Sequence, residues 1–470
     1  MATLDQVLQT VDETLEQSIS RWEAFLKIPS VSTDPAFKKE CKTAAQWLVD
    51  LLTELGFDAS MRQTPGHPMV VAHYILNDRT NAIGKHVPHI LFYGHYDVQP
   101  PEPLDEWNTP PFEPTRKIGD DGNERMFARG AADDKGQLLT FIEAVRAMIN
   151  ASFELNVNMT LLFEGEEESG SPSLDDFLEN NKQELSHDLA LVCDTNMWNE
   201  TTPAITTRLR GMVHDEIVIT GPSIDLHSGL YGGAAINPIR VLNKILGDLH
   251  DENGKVMIDN FYDGVKDLPS ATKQQWDDLE LSPQEFLGGV GLKTPAGETS
   301  YSMLEQIWSR PTVDVNGILG GYTGEGTKTV IPSKASAKLS FRLVGEQDPQ
   351  KISDGFRQFV KVRIPDDCSV EFLSDGGASP ALEVAEDNPA LQKAANALKD
   401  EFGKQPVFMG CGGSIPIVGA FKDVLGMDSI LVGFGLSDDA IHSPNEKYDI
   451  NSFHKGIRSW VRILEALSVK

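Results

Sequence analysis

The apolar residues Leu4, Val7, Leu8, Val11, Leu15, Trp22, Phe25 and Leu26 recur at three- and four-residue spacing as far as Pro29, which predicts an amphipathic helix over Leu4–Leu26. A second run, Trp47, Leu48, Leu51, Leu52 and Leu55, predicts a helix that stops at Gly56, a residue free to take the left-handed conformation of a C-terminal cap. Short apolar runs at 69–75, 89–93, 159–163 and 189–193 read as strands, with a helical segment near 136–149 between the second and third. Strands that alternate with helices imply an α/β sheet.

After Arg208 the pattern changes. Segment 212–220 reads as a strand, 238–249 as a helix, 313–318 and 335–343 as strands, 349–360 as a helix and 369–373 as a strand. This β-α-β-β-α-β order is the split, ferredoxin-like arrangement. The strict period of two in Ala335, Ala337, Leu339, Phe341 and Leu343 predicts one buried face. Asn388-Pro389 then opens a further helix with a capping Asn and Pro at its first position, ending near Gly403. The expected organisation is a first part of one domain over 1–208, an inserted domain over 209–379 and a return to the first domain over 380–470.

Composition narrows the class. A chain of 470 residues, 40% hydrophobic and 24% charged, is long enough for two or three cores and too ordered in composition to be disordered or fibrous. Lysine plus arginine number 41 against 70 acids, 41 − 70 = −29, a field that repels phosphate backbones and anionic lipid, so neither nucleic acid nor membrane is an expected partner. Cys41, Cys193, Cys368 and Cys411 lie far apart with no CxxC pair, and no signal-type or eighteen-residue apolar stretch occurs. A reducing, cytoplasmic location is the expectation.

No GxSxG, GxxxxGK[ST], HExxH or strand-following GxGxxG is present, so serine-hydrolase, P-loop and dinucleotide readings lose support. Acids and histidines instead cluster just past predicted strands, where open α/β sheets place ligand sites. In GHYDVQP, His95 can be a metal ligand and Asp97 the acceptor for its other ring N–H, or the two can be a structural pair. In RGAADDKG, Asp133 and Asp134 precede a helix, as ligands or as dipole complement. In FEGEEESGS, Glu164, Glu166, Glu167 and Glu168 form a solvated run, or a cation site in which one raised carboxylate serves as general base. Asp194 follows the strand at 189–193, and His442 lies in IHSPNEK. Together these groups make an oxygen-rich donor set suited to two divalent ions such as Zn²⁺ or Mn²⁺.

The chain resembles the M20 metallopeptidase family, near its cytosolic nonspecific dipeptidase and carnosinase branch. GHYDVQP, RGAADDKG, EGEEESGS, RLRG, DLHSGLYGG, TKTVIPSK, GGSIP and HSPNEK occur in family order across nearly the whole sequence. The resemblance implies a two-domain, zinc-peptidase-like catalytic fold with the ferredoxin-like insertion serving as a lid and dimerisation domain. It further implies that Asp133 bridges two metals, that His95 and Asp194 complete one site, and that Glu168 and His442 complete the other. Glu167 would be the general base, Asp97 would steer His95, and His227 would reach into the partner subunit's site of a homodimer. Thr329, Arg342, Gly413 and Ser414 would hold the substrate, with Arg342 on its carboxylate. On residues alone, His227 reads first as a capped turn histidine, an order that its place in the family pattern reverses, and Arg342 can be a solvent-facing charge.

Four departures stand out. The stretch between GHYDVQP and RGAADDKG carries an extra polar loop around 120–125; the familiar S-D-N-Y-W becomes Cys193-Asp194-Thr195-Asn196-Met197-Trp198; Glu166 replaces an apolar residue; and Asn316 stands where His is frequent. The leading expectation is a dinuclear metallodipeptidase acting by Glu-assisted water attack. An N-acyl-amino-acid deacylase on the same scaffold and a catalytically inactive binding or scaffold protein are the alternatives.

Overall fold

The computed structural model describes residues 2–76, 86–373, 378–413 and 415–468. It divides into two compact units: Met1–Thr207 with Val384–Met409 and Ala420–Lys470, and Arg208–Glu383 with Gly410–Gly419. The second thus interrupts the first. Of the expected return segment 380–470, residues 380–383 and Gly410–Gly419 fall with the interrupting unit; in the second of these the Cys411 carbonyl accepts the Arg210 N–H (3.3 Å) and the Gly412 carbonyl accepts from Arg210 Nε (3.1 Å).

In the first unit, Thr3 opens the helix Leu4–Leu26 with a capping box in which Thr3 and Gln6 each satisfy the other's backbone N–H. Its apolar stripe, Val7 to Leu26, is buried against the helices Lys135–Asn150 and Ile450–Leu467. Lys135 is wholly buried and donates its ammonium to the Phe25 (3.2 Å) and Ile28 (2.5 Å) carbonyls, a cation at the negative end of that helix. The aromatic centre joins sheet to helices: Phe92 stacks on Phe141 at 3.8 Å, and Trp460 meets both edge-on.

The sheet places strands in the order Asp58–Arg62, Met69–Tyr74, Asn158–Glu164, His89–His95, Leu189–Val192 and Ser429–Leu431. The last four run parallel, and their carboxyl ends share one edge: His95 pairs with Glu164, and Tyr93 with Val192. Parallel strands buried on both faces read as continuous apolar runs, which is why the first three of these were legible. The expected polar loop around 120–125 is instead the tip of a hairpin, Thr115–Ile118 with Glu124–Phe127, whose second strand pairs with Lys447–Asp449. Its alternating charges, closed by Arg116 on Glu16 and Glu124, concealed the strands.

The second unit is a twisted antiparallel sheet ordered Thr312–Gly320, Lys334–Leu343, Gly211–Thr220, Ser369–Leu373, with the helices Pro238–Gly247 and Pro349–Lys361 packed on it. Ile217, Ile219, Leu242, Leu339, Phe341 and Phe356 form its core. Three short helices, Ser270–Asp277, Pro283–Gly288 and Met303–Trp308, lie between the first helix and the second strand in sequence. Thr312–Gly320 is one of the two edge strands; its register shifts between Val315 and Gly317 and leaves Asn316 exposed on a bulge.

Candidate metal centre

The parallel strands deliver their next residues to one place. His95 ends its strand with a wholly buried ring; Nδ1 lies 3.1 Å from the Asp97 carbonyl and 3.4 Å from its carboxylate, leaving Nε2 turned towards Asp133 Oδ1 at 3.0 Å. The carbonyl, more than the expected carboxylate, therefore meets the second ring nitrogen. The Asp97 carboxylate accepts the backbone N–H groups of Glu167 (3.3 Å) and Glu168 (3.1 Å), fixing the turn Glu167–Ser169 to the end of the His95 strand.

Asp133 joins the two halves of the centre. One of its oxygens faces His95 and the other faces His442 Nε2 at 3.0 Å, while His442 Nε2 also lies 3.2 Å from Glu168 Oε2. Asp194, two residues past Leu189–Val192, stands 3.9 Å from His95 Nε2. Two groups of donor atoms result, His95, Asp133 and Asp194, and Asp133, Glu168 and His442, with the atoms of each within 4.8 Å of one another. All five side chains expected as ligands are brought together, and Asp133 is common to both groups.

The electrostatics fit a pair of divalent cations. Burial, reinforced by Asp133, pushes Asp194 well above the carboxylate range. Burial also raises Asp133, but His442 and His95 overrule it and hold that carboxyl low. His95 is raised although burial opposes its charge, because Asp133 and Asp97 hold it, and His442 is raised to about 10 by Asp133 and Glu168. Glu167 is pushed up to about 7, by burial first, with Glu168, Asp133 and Asp97 adding to it against His95. Oxygen donors crowded in low dielectric are relieved by bound cations.

Sequence reasoning missed three supports. Gln99 donates to Glu168 Oε2 at 2.8 Å, the Asp134 carboxylate accepts the His95 N–H at 3.1 Å, and Glu446 is wholly buried against the 129–133 segment. All three lie inside the quoted motifs, whose letters alone do not tell a ligand from its prop. Glu166 is buried over Gly66, where a Cβ would come within 1.6 Å of Glu166 Oε1.

The remaining candidates belong to the interrupting unit. His227 is exposed, its Nδ1 accepting the Gly229 N–H at 3.0 Å, and it pairs with Val330 beside the exposed Thr329. Arg342 is half-buried on its strand opposite Thr312 and Met212. Gly413 is half-buried, and Ser414 lies outside the described residues.

Comparison with known proteins gives this arrangement its family. The model of peptidase family M20/M25/M40 matches residues 91–466. The Cys-Gly metallodipeptidase DUG1 of Candida albicans is 33% identical over 469 residues, 97% of this chain and 96% of that one. The Beta-Ala-His dipeptidase of Rattus norvegicus is 28% identical over 99% of this chain and 96% of its own. The solved structure of the di-peptidase Dug1p from Saccharomyces cerevisiae superposes with a TM-score of 0.76 at 31% identity, covering 99% of this chain and 98% of that one. The chain is therefore a peptidase and belongs to the M20/M25/M40 family.

Proposed function

We propose that the protein is a cytoplasmic, homodimeric dipeptidase that holds two divalent ions, zinc or manganese, one by His95 and Asp194, the other by Glu168 and His442, with Asp133 bridging. The observation that carries this is the sharing of Asp133 between two donor groups. Relatives named as dipeptidases over nearly the full length support the substrate class. Bound ions supply Lewis acidity to the scissile carbonyl and acidity to a water. Glu167 belongs to neither donor group; it takes the proton of the attacking water and delivers it to the departing amine. His227 of the partner subunit donates to the developing oxyanion, and Thr329, Arg342, Gly413 and Ser414 hold the substrate, Arg342 at its carboxylate. Support for the dimer comes from the edge strand Thr312–Gly320, which leaves Val315, Ile318 and Leu319 exposed beside unpaired backbone. Four free cysteines, and no helix among the described residues long and apolar enough to cross a membrane, are compatible with the proposed location.

Glu167→Gln tests the mechanism: turnover of a dipeptide panel falls about 10²–10⁴-fold while metal content stays at that of the unaltered protein. Normal turnover would remove Glu167 from its role. Hydrolysis of acylated amino acids in preference to dipeptides would favour the deacylase, and full metal content with no hydrolysis of either would favour a binding protein.

A further inference from the structure

Glu446 lies four residues beyond His442 and is wholly buried. Its Oε2 accepts from Arg129 Nη1 (2.7 Å) and the Gly130 N–H (2.9 Å), and its Oε1 accepts the Ala132 (3.0 Å) and Asp133 (3.1 Å) N–H groups. Its own carbonyl accepts the Ala128 N–H at 3.1 Å. One side chain thus takes up the backbone donors of the turn that ends at Asp133. Arg129, 1% exposed, also donates through Nη2 to the carbonyls of Pro100 and Ser443, both at 3.3 Å. Pro100 lies five residues past His95, and Ser443 directly follows His442. The Arg129–Glu446 pair therefore ties together the three chain segments that carry His95, Asp133 and His442.

A buried ion pair is a weak source of net stability, since desolvation offsets much of its attraction, whereas its directional bonds fix geometry. Here every side-chain hydrogen bond of the pair ends on a ligand-bearing segment. From this we infer that Glu446, with Arg129, is a positioning residue that sets the separation of Asp133 from His95 and His442 and so tunes the affinity of the two-ion centre. The inference rests on the proposed reading of Asp133 as the bridging ligand.

The test is Co²⁺ titration of the metal-free, full-length protein, read by visible absorption and equilibrium affinity, for Glu446→Gln, Arg129→Lys and Asp133→Asn. Glu446→Gln keeps the size of the side chain but turns an amide N–H₂ towards donors. Partners that orient ligands are worth about 10–100-fold in affinity, so Co²⁺ should bind that much more weakly, with a changed absorption band, in a protein whose circular dichroism matches the parent. Unchanged affinity and spectrum in folded Glu446→Gln would overturn the inference. If that variant does not fold, Arg129→Lys is read by the same two measurements, because an ammonium cannot span Glu446, Pro100 and Ser443 together. Asp133→Asn separates the two claims. If it binds Co²⁺ as the parent does, the bridging reading fails; if it alone abolishes binding while the other two bind normally, only the positioning inference fails.

Discussion

Asp97 carries more than its expected part. Its carbonyl faces His95 Nδ1, and its carboxylate holds the two N–H groups that begin the Glu167–Ser169 turn. Asp97→Ala would release that turn and leave a buried imidazole half-supported; kcat should drop about 10–100-fold, measured by steady-state kinetics beside metal analysis. At this scale the sequence was legible where chemistry and strand position coincide. His95 ends a parallel strand, Asp194 lies two residues past one and Asp133 two residues before a helix, and the displaced aspartate of Cys193-Asp194-Thr195 still joins the cluster; Glu168 and His442, each within a turn, were legible only through their motifs. Glu166 could not be read, because its environment, the open backbone of Gly66, lies a hundred residues away in sequence.

Among the elements, the loop that presents Asp194 is braced by a close approach of backbones. A Cβ on Gly433 would lie 1.9 Å from the Thr195 carbonyl oxygen, so Gly433→Ala should displace that loop, costing about 1–3 kcal/mol in urea unfolding and weakening metal binding. An unchanged unfolding midpoint would show the loop to be yielding. Long elements were legible because burial imposes a period. The helix Leu4–Leu26, the strand Lys334–Leu343 with its alternate burial, and the helix Pro389–Phe402 capped by Asn388 and closed by Gly403 at φ 70° all follow their pattern. The C-terminal helix Ile450–Leu467 carries an equally regular stripe in Phe453, Ile457, Trp460 and Leu464, yet it was not among the expected elements. What stayed hidden is short or charged: Ser429–Leu431 spans three residues, and the hairpin Thr115–Phe127 alternates charges whose partners only the fold supplies.

For the whole molecule, two consequences follow. At the amino ends of the parallel strands, opposite the metal centre, His73, His89 and His187 all hydrogen-bond the buried Thr160 hydroxyl, at 3.0, 2.9 and 2.8 Å, with His89 and His187 stacked at 3.5 Å. Glu184, paired with Arg62, faces His73, and Asp188, paired with His86, faces the His89 backbone. Burial first, then the two neighbouring imidazoles, hold His187 down at about 3. The unfolded chain takes up this proton as pH falls through about 6.5 while the folded one does not until about 3, so stability is complete above that range and declines below it. The slope is at most about 1.4 kcal/mol per pH unit, and smaller here because solvent reaches part of the ring. His187→Gln should flatten the loss of urea stability between pH 7 and pH 5. The proposed shared site makes a second prediction: His227→Ala and Glu167→Gln, each nearly inactive, regain part of the activity when mixed under conditions of subunit exchange. No recovery with exchange demonstrated by mass would argue for independent sites. The most direct measurement is anomalous diffraction from crystals grown with zinc or manganese. Two peaks per chain are predicted, one ligated by His95, Asp133 and Asp194 and the other by Asp133, Glu168 and His442. A single peak, or ions bound elsewhere with Asp133 unligated, would contradict the account.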